Sequence, residues 1–376
     1  CSGPWTNVGS NSNSYQTAVL SATTYYNVIV TDAINSCSPV TSSCATVTVV
    51  TDPTVVSTSP NRNICKGGST TLVVTASGGT PSLTYQWQYY NGTTWNNVVN
   101  GTPTGITYTN PTTATMSIAT NNNTTLSGAY QYQVIVGASG LDCNPATSSA
   151  VILNVYNDPA ISVHPVGATI CSNTTHAMSV TASGDPALSG LSYQWQISAT
   201  GTGGWSNVGT NSSSYTTAAL NSTTMHYRVI ITQTESGCSI TSNNAVVVWD
   251  PIPTVTSATS KTICNGTSTN HNINSGVSNT TFTWTASQTT APTGGSITGF
   301  SDCASSCGTN IGQTLTNSGT SPGVVRYVIT PTGPTPTFCV GSNYNFDVTV
   351  NPTPDVVPSP TSNLICSCSS SGISLS

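Results

Sequence analysis

Hydrophobic and polar residues alternate along this chain with the two-residue period of β-strands. The stretch LSYQWQI at residues 191–197 is a clear case, and YRVII at 227–231 follows it after a polar segment. Val, Ile, Thr and Tyr dominate these stretches, while Gly, Pro, Asn and Asp separate them. Since successive side chains of a strand point to opposite faces, the pattern predicts short antiparallel strands with one buried face. No stretch has a convincing helical period, so the sequence predicts an all-β protein.

The strand pattern recurs about every hundred residues, and each repeat carries its cysteines in matching places. One series, here called the Ile-Cys cysteines, follows an isoleucine at Cys65, Cys171, Cys264 and Cys366. A second series lies later in each repeat, at Cys37, Cys143, Cys238 and Cys339. Asp-Pro or Asn-Pro pairs mark the boundaries, at residues 52–53, 158–159, 250–251 and 351–352. A fixed period of domain length indicates a tandem array of modules.

The boundaries predict five segments. They are the later part of repeat one (1–52), the complete repeats two (53–158), three (159–251) and four (252–352), and the opening of repeat five (353–376). About seven short strands per hundred residues, with a Trp on a central strand, favour an immunoglobulin-like sandwich. Because both ends fall within a repeat, we expect a window from a longer array. The alternative is a subunit whose incomplete ends are completed by strands of neighbouring copies.

Charge is scarce, which narrows the classes of partner. Only 4% of the 376 residues are charged and the net charge is −5, whereas a typical globular chain is about 25% charged. There is no basic stripe for nucleic acid and no basic amphipathic segment for a membrane surface. The longest apolar runs are far shorter than a membrane-spanning helix requires. The sequence therefore predicts neither nucleic-acid binding nor membrane insertion.

Thirteen regularly spaced cysteines predict disulfides and an extracellular location. A domain that occurs on its own in other proteins usually has an internal disulfide. We therefore expect pairing within each repeat, as Cys65–Cys143, Cys171–Cys238 and Cys264–Cys339. In strict immunoglobulin topology, the loop before the second strand and the loop between the last two strands lie at opposite ends of the domain. That geometry favours staggered bonds between neighbouring repeats instead, Cys65–Cys238 and Cys171–Cys339. Both versions leave Cys37 and Cys366 without a partner in this chain. Cys303–Cys307 is expected to close a local loop, and Cys1–Cys44 is a further candidate, which leaves Cys368 over.

The remaining candidate chemistry is sparse. The Trp of each central strand (Trp87, Trp195 and Trp284) is expected in the core, whereas Trp5, Trp95 and Trp205 follow loops and are candidates for a glycan-stacking platform. Ten carboxylates and four His are scattered along the chain, with no CxxC pair, paired carboxylates or nucleophile motif. The sequence predicts no catalytic site, no metal site and no cofactor.

Two groups of motifs resemble the repeats of very large cell-surface proteins of the Bacteroidetes. The YQWQ motifs at 85–88 and 193–196, with WNNV at 95–98 and WSNV at 205–208, are similar to their immunoglobulin-like repeats. The motifs FTWTA at 282–286, RYVITP at 326–331 and CVGS at 339–342 are similar to their PKD-like repeats. The resemblance implies an elongated array of β-sandwich repeats, secreted by the type IX system, on a surface used for adhesion or gliding motility. It transfers no site residues.

We therefore expect a non-enzymatic, extracellular structural or adhesive protein of a bacterial surface, working as a stalk or filament. Its expected partners are neighbouring repeats or copies of itself, joined by strand complementation, and possible surface glycans. The alternatives are a string of carbohydrate-binding modules and a spacer in a large secreted hydrolase. Because its surface is nearly uncharged, fibres of such a protein should persist in high salt.

Overall fold

The computed structural model describes residues 2–35, 37–139, 143–305 and 307–355, and the regular elements within these ranges are all β-strands. None of the described residues forms a helix long and apolar enough to cross a membrane. The chain divides into two compact units, and the division passes through repeat three. The first unit comprises Cys1–Ser162, Thr181–Tyr193 and Ile230–Thr241, and the second comprises Val163–Val180, Gln194–Val229 and Ser242–Ser376.

Repeat one forms two small antiparallel pairs, β1 with β4 and β2 with β3. The strands are β1 (Thr24–Tyr26), β2 (Ile29–Val30), β3 (Val40–Thr41) and β4 (Ala45–Val47). Its apolar side chains are uncovered: Val28 is 52% and Val30 63% exposed. The matching residues of repeat three, Val229 and Ile231, are fully buried. Within residues 2–35 and 37–52, these apolar residues match those of a sandwich core, but no opposing sheet covers them.

Repeat two is a β-sandwich of two sheets. Its strands are β5 (Thr54–Thr58), β6 (Arg62–Cys65), β7 (Ser69–Ser77), β8 (Leu83–Tyr90), β9 (Trp95–Asn97), β10 (Ile106–Thr109), β11 (Thr115–Thr120), β12 (Gly128–Ala138), β13 (Ala146–Thr147) and β14 (Val151–Tyr156). One sheet has the order β10-β11-β7-β5 and the other β6-β14-β12-β8-β9, with β13 beside β12. Leu72, Trp87, Ile118 and Tyr132 are fully buried in one apolar cluster. The alternating pattern of the sequence places these side chains on the inner faces.

Repeat three keeps the same principal sheet. Its strands are β15 (Ala160–Val163), β16 (Thr169–Cys171), β17 (Ala177–Ser179), β18 (Thr181–Ser183), β19 (Leu191–Ser198), β20 (Ser206–Val208), β21 (Ser214–Thr216), β22 (Met225–Gln233), β23 (Ser239–Thr241) and β24 (Ala245–Asp250). The principal sheet has the order β16-β24-β22-β19-β20, with β23 beside β22, and two strand pairs, β15-β18 and β17-β21, complete the repeat.

Repeat four has a four-stranded sheet, β25-β33-β32-β28, a three-stranded sheet, β26-β31-β29, and the pair β27-β30. The strands are β25 (Ser260–Cys264), β26 (Thr267–Ser268), β27 (His271–Asn272), β28 (Thr281–Thr290), β29 (Ile297–Thr298), β30 (Asn310–Ile311), β31 (Thr314–Asn317), β32 (Gly323–Thr332) and β33 (Tyr344–Asn351). Ile311, Tyr327 and Phe346 are fully buried in its core. The all-β architecture of tandem β-sandwich repeats predicted from the sequence is therefore confirmed.

One feature of the topology positions the cysteines. In each complete repeat the Ile-Cys strand runs parallel to the last strand: β6 beside β14, β16 beside β24 and β25 beside β33. The cysteine that ends the Ile-Cys strand is level with Tyr156, Asp250 or Asn351 respectively. Each Ile-Cys cysteine therefore lies at the trailing end of its repeat, where the chain leaves for the next one.

Candidate functional site at the repeat junctions

The structure pairs Cys65 with Cys238 and Cys171 with Cys339, each across the boundary of two consecutive repeats. The Sγ–Sγ distances are 2.14 and 2.04 Å, and the Cα–Cα distances are 5.5 and 5.6 Å, which suit a disulfide. The expected pairing within each repeat is thus wrong, and the staggered alternative is the one observed. We call these the junction disulfides.

The strand registers of repeat two explain the correction. Cys65 is level with Tyr156, whose neighbour Val155 pairs with Gly128 at the start of β12. Cys143 instead follows the far end of β12, which finishes at Ala138. The length of β12 therefore separates the two cysteines, because strands advance about 3.3 Å per residue. A disulfide cannot span such a distance.

The other candidate cysteines fall into three groups. Cys303 and Cys307 are bonded to each other, and Cys44 is disulfide-bonded. Cys1, Cys366 and Cys368 lie outside the described residues. The third group consists of free thiols, and its members are Cys37, Cys143 and Cys264. Cys143 is half-buried, whereas the other two are exposed.

Polar contacts also join consecutive repeats, both at the first boundary and at the third, which a junction disulfide crosses as well. At the first boundary, Asn144 donates from its backbone N and its Nδ2 to the Asp52 carboxylate, at 3.0 and 3.1 Å. At the third, the Thr337 hydroxyl donates to Asp250 Oδ2. In both cases the acid of the Asp-Pro pair contacts a residue within two positions of a second-series cysteine. The leading end of each following repeat is therefore held by the boundary acid.

The second boundary uses a different carboxylate, that of Asp185. Asn157 donates to its Oδ2 from the backbone N at 2.7 Å and from Nδ2 at 2.9 Å, and Ala187 N donates to Oδ1 at 2.9 Å. Burial raises the pKa of this carboxyl, but the hydrogen bonds from Asn157 and Ala187 outweigh burial, so the pKa lies below its usual value. The sequence alone did not single out Asp185, although its Gly-Asp-Pro turn resembles the Asp-Pro pairs at the boundaries.

A group of possible metal ligands occurs at the second boundary, formed by Cys65, Asp158 and Cys238, whose ligand atoms lie within 4.8 Å of one another. The two sulfurs are bonded to each other, and a disulfide presents no thiolate to a metal. Burial raises the pKa of the Asp158 carboxyl, and the nearby Lys66 lowers it in part. This acid therefore lies against the bond as a boundary residue and is not part of a ligand set.

The three tryptophans of the central strands lie in the core, as the sequence predicts. Trp87 and Trp195 are fully buried, and each donates its Nε1–H to a backbone carbonyl at 2.9 Å, that of Thr113 or Ser212. Trp284 is also buried. These residues fill the sandwiches, as large aromatic side chains on central strands usually do.

The three candidate platform residues differ in exposure. Trp5 is 46% exposed and lines a cleft of about 290 Å³ with Tyr25. Trp95 is half-buried beside Tyr90, with 5.3 Å between the ring centroids. Trp205 is half-buried too, and the Arg228 guanidinium lies 4.1 Å from its ring centroid. A stacked guanidinium occupies one face of that ring, which leaves Trp5 as the most accessible of the three.

Two families match separate parts of the chain. Residues 261–354 match the PKD-like domain, which agrees with the predicted nature of repeat four. Residues 2–51 and 163–251 match a domain of unknown function, DUF8696. The same family model therefore matches repeat one and repeat three, which share motifs in the sequence. No curated protein matches the chain significantly.

Several multidomain solved structures match this chain at low similarity. The I-band fragment I67–I69 of titin is 12% identical, with a TM-score of 0.43, and the match covers 81% of this chain and 100% of that one. Immunoglobulin domains 1–5 of Sidekick-1 are 16% identical, with a TM-score of 0.31 and coverages of 87% and 66%. Three N-terminal domains of the bacteriophage RB49 outer capsid protein Hoc are 15% identical, with a TM-score of 0.33 and coverages of 81% and 100%. Likenesses at this level carry no argument about fold or binding.

Proposed function

We propose that this chain belongs to a non-enzymatic extracellular protein of a bacterial surface, in which tandem β-sandwich repeats form a stalk or filament used in adhesion or motility. The observation that carries the proposal is the pair of junction disulfides. A module that only binds a ligand has no need of a covalent bond to its neighbour. A chain that transmits force does, because the bonds limit how far the repeats can extend under load.

The junctions support the mechanical role in two further ways. Each boundary carries a proline, which fixes its own φ and restricts the residue before it, so the linker has few conformations. The boundary carboxylates Asp52 and Asp250 accept hydrogen bonds from the following repeat, and Asp185 of repeat three accepts them from Asn157 at the end of repeat two. Stiff, bonded junctions suit a protein that projects or builds a surface fibre.

Adhesion under flow tests the proposal. Cells producing the double variant Cys65→Ser, Cys238→Ser should attach normally without flow but detach at lower shear than wild-type cells. The matched control is Cys303→Ser, Cys307→Ser, which removes a disulfide that closes only a local loop, and it should behave as wild type. Equal detachment of all three strains at every shear stress would reject a load-bearing role. Electron microscopy of the native material, with and without reductant, then separates filaments from single flexible strings.

The scarcity of charge gives a second test of a fibre. Among the described residues, Arg326 and Asp347 form the ion pair, with a distance of 2.8 Å between Nε and Oδ1. Contacts between such neutral amide and hydroxyl surfaces have little ionic attraction or repulsion for salt to screen. Fibres should therefore keep their length in 1 M NaCl, as measured by light scattering and electron microscopy. Dissociation in salt would show that charge holds them together.

A second candidate function, glycan binding, rests on the exposed Trp5 in its cleft beside Tyr25. Sugar rings stack on such aromatic faces. Binding on a glycan array that is lost in Trp5→Ala or Trp205→Ala, but kept in Tyr90→Ala, would favour a carbohydrate-binding array. Absence of any glycan signal would leave the structural role alone.

A further inference from the structure

The two junction disulfides follow one rule. In each, the Ile-Cys cysteine at the trailing end of one repeat is bonded to the second-series cysteine of the next repeat. The sequence separations are nearly equal, 173 residues for Cys65–Cys238 and 168 for Cys171–Cys339. The bond is therefore a property of the repeat and its neighbour, and it is not peculiar to one junction.

Cys264 occupies the position of Cys65 and Cys171. It is the last residue of β25, which runs parallel to β33, and it is level with Asn351 immediately before the boundary Pro352. Its side chain is exposed and its thiol is free. By the rule, the partner of Cys264 is the second-series cysteine of the repeat that follows repeat four.

Cys143 occupies the position of Cys238 and Cys339. It follows the long strand β12 and precedes Asn144, which is held by the boundary acid Asp52. The polar contact of a junction is thus complete at the boundary of repeats one and two, whereas the thiol beside it is free. By the rule, the partner of Cys143 is the Ile-Cys cysteine of repeat one, a position that precedes residue 1 in the repeat pattern.

We propose that Cys143 and Cys264 are the open positions of a staggered disulfide series that continues through the assembled protein. Cys264 bonds to the second-series cysteine of the following repeat, and Cys143 bonds to the Ile-Cys cysteine of the preceding one. Cys37 is a second-series cysteine as well and takes the same kind of partner. The partner cysteines are supplied either by a further stretch of the same polypeptide or by a second copy of this chain. The inference does not depend on whether the array serves adhesion or motility.

Each bond forms by thiol–disulfide exchange with an oxidised disulfide donor, such as an extracytoplasmic dithiol oxidase or oxidised glutathione. The first thiolate attacks the donor disulfide and releases one donor thiol. The second protein thiolate then attacks the mixed disulfide and releases the other. Two protein thiols lose two protons and two electrons, and the donor is reduced to its dithiol form.

Disulfide mapping of the native, assembled protein tests the proposal. The material is alkylated without reductant and digested with pepsin at low pH, where exchange is slow, and the linked peptides are identified by mass spectrometry. We expect a Cys264 peptide linked to a second-series peptide and a Cys143 peptide linked to an Ile-Cys peptide. Alkylation of Cys143 and Cys264, or a bond between Cys143 and Cys65, would overturn the proposal. Recovery of the Cys65–Cys238 and Cys171–Cys339 peptides is the internal control.

Gel electrophoresis of the same material distinguishes the two sources of the partner. If a second copy supplies it, reductant collapses a ladder of multiples of this chain, and Cys264→Ser shortens the ladder. If the same polypeptide supplies it, reduction leaves the mass unchanged while the linked peptides are still found. The variant Cys303→Ser, Cys307→Ser should alter neither result, because that pair lies within one loop. Adhesion can fail while these bonds are present, so this test and that of the proposed function have separate outcomes.

Discussion

The Asp185 carboxylate accepts three hydrogen bonds although the residue is only 3% exposed. A buried carboxylate costs several kcal/mol unless hydrogen bonds replace its lost water, and the nearby Lys66 offsets only part of that cost here. Asn157 and Ala187 supply those bonds, and the backbone N of Asp185 donates to Gln233 Oε1 at 2.9 Å. One side chain thus links the end of repeat two to the first part of repeat three.

Asp185→Asn should destabilise this boundary by about 1–3 kcal/mol, since an amide nitrogen would face donors that now meet a carboxylate. Because folding lowers the pKa, the stabilisation is present above the unfolded value of 3.8 and is lost as the pH falls through the folded pKa. Urea unfolding at pH 7 and pH 3 measures both effects. The variant should lose part of the acid sensitivity, and the exposed Asp355→Asn should keep it. Equal acid sensitivity in Asp185→Asn and wild type would contradict the assignment.

His271 is a second residue whose ionisation the fold disfavours, and this can be tested. It stacks on Phe346 with 3.6 Å between ring centroids, and its buried Nε2 has no hydrogen-bond partner in the described part of the chain. Burial lowers the pKa of this imidazole, and the nearby Lys261 lowers it further. The ring is therefore held neutral in repeat four.

Repeat four should lose stability as the pH falls below about 6.5, because the unfolded chain then binds a proton that the buried ring resists. The loss should level off below the folded pKa. Hydrogen exchange of residues 252–352 between pH 7.5 and 5, corrected for intrinsic rates, measures it. His271→Phe should flatten the profile, while the half-buried His226→Gln in repeat three should not. If the stability of repeat four falls as steeply with pH in His271→Phe as in wild type, the pH dependence does not come from His271.

Among the elements, the parallel Ile-Cys strand determines where the junction disulfides form. It is added to the edge of the sheet beside the last strand, so its cysteine lies where the chain leaves the repeat. The alternation of the sequence predicts the strands and which side chains enter the core, because burial of one face demands it. It does not predict which edge a short strand joins, since edge pairing depends on backbone geometry that either neighbour can offer.

Cys65→Ser should destabilise the protein by about 5 kcal/mol, the chain-entropy value for a disulfide closing a loop of 173 residues. The control Cys307→Ser opens a loop with a separation of only 4 residues and should cost roughly 2 kcal/mol. Guanidinium unfolding without reductant compares the two variants. If Cys65→Ser costs no more than the control, the junction disulfide does not constrain the unfolded chain.

At the scale of the whole molecule, the junction disulfides overlap along the chain. The segment from Cys171 to Cys238 lies within both loops. A force applied at Cys65 and Cys339 therefore follows the first disulfide, then this shared segment, then the second disulfide. The overlap sets how far the protein can extend.

Between Cys65 and Cys339 the oxidised protein should lengthen to at most roughly 240 Å, the reach of the segment from Cys171 to Cys238 at about 3.6 Å per residue. With reductant the limit rises to roughly 1000 Å, because the whole intervening chain can then extend. Single-molecule force spectroscopy with handles beside these two cysteines measures both lengths. An oxidised protein that extends as far as the reduced one would rule out the staggered bonds.

The sequence by itself determined the all-β class, the repeat period, the core position of Trp87 and Trp195, and the PKD-like nature of repeat four. These depend on local alternation and spacing, which any fold of this chain must satisfy. Only the tertiary structure decided the cysteine pairing, the role of Asp185 and the uncovered apolar face of repeat one. Each of these depends on which ends and faces of the strands meet, and strands distant in sequence can meet in more than one way.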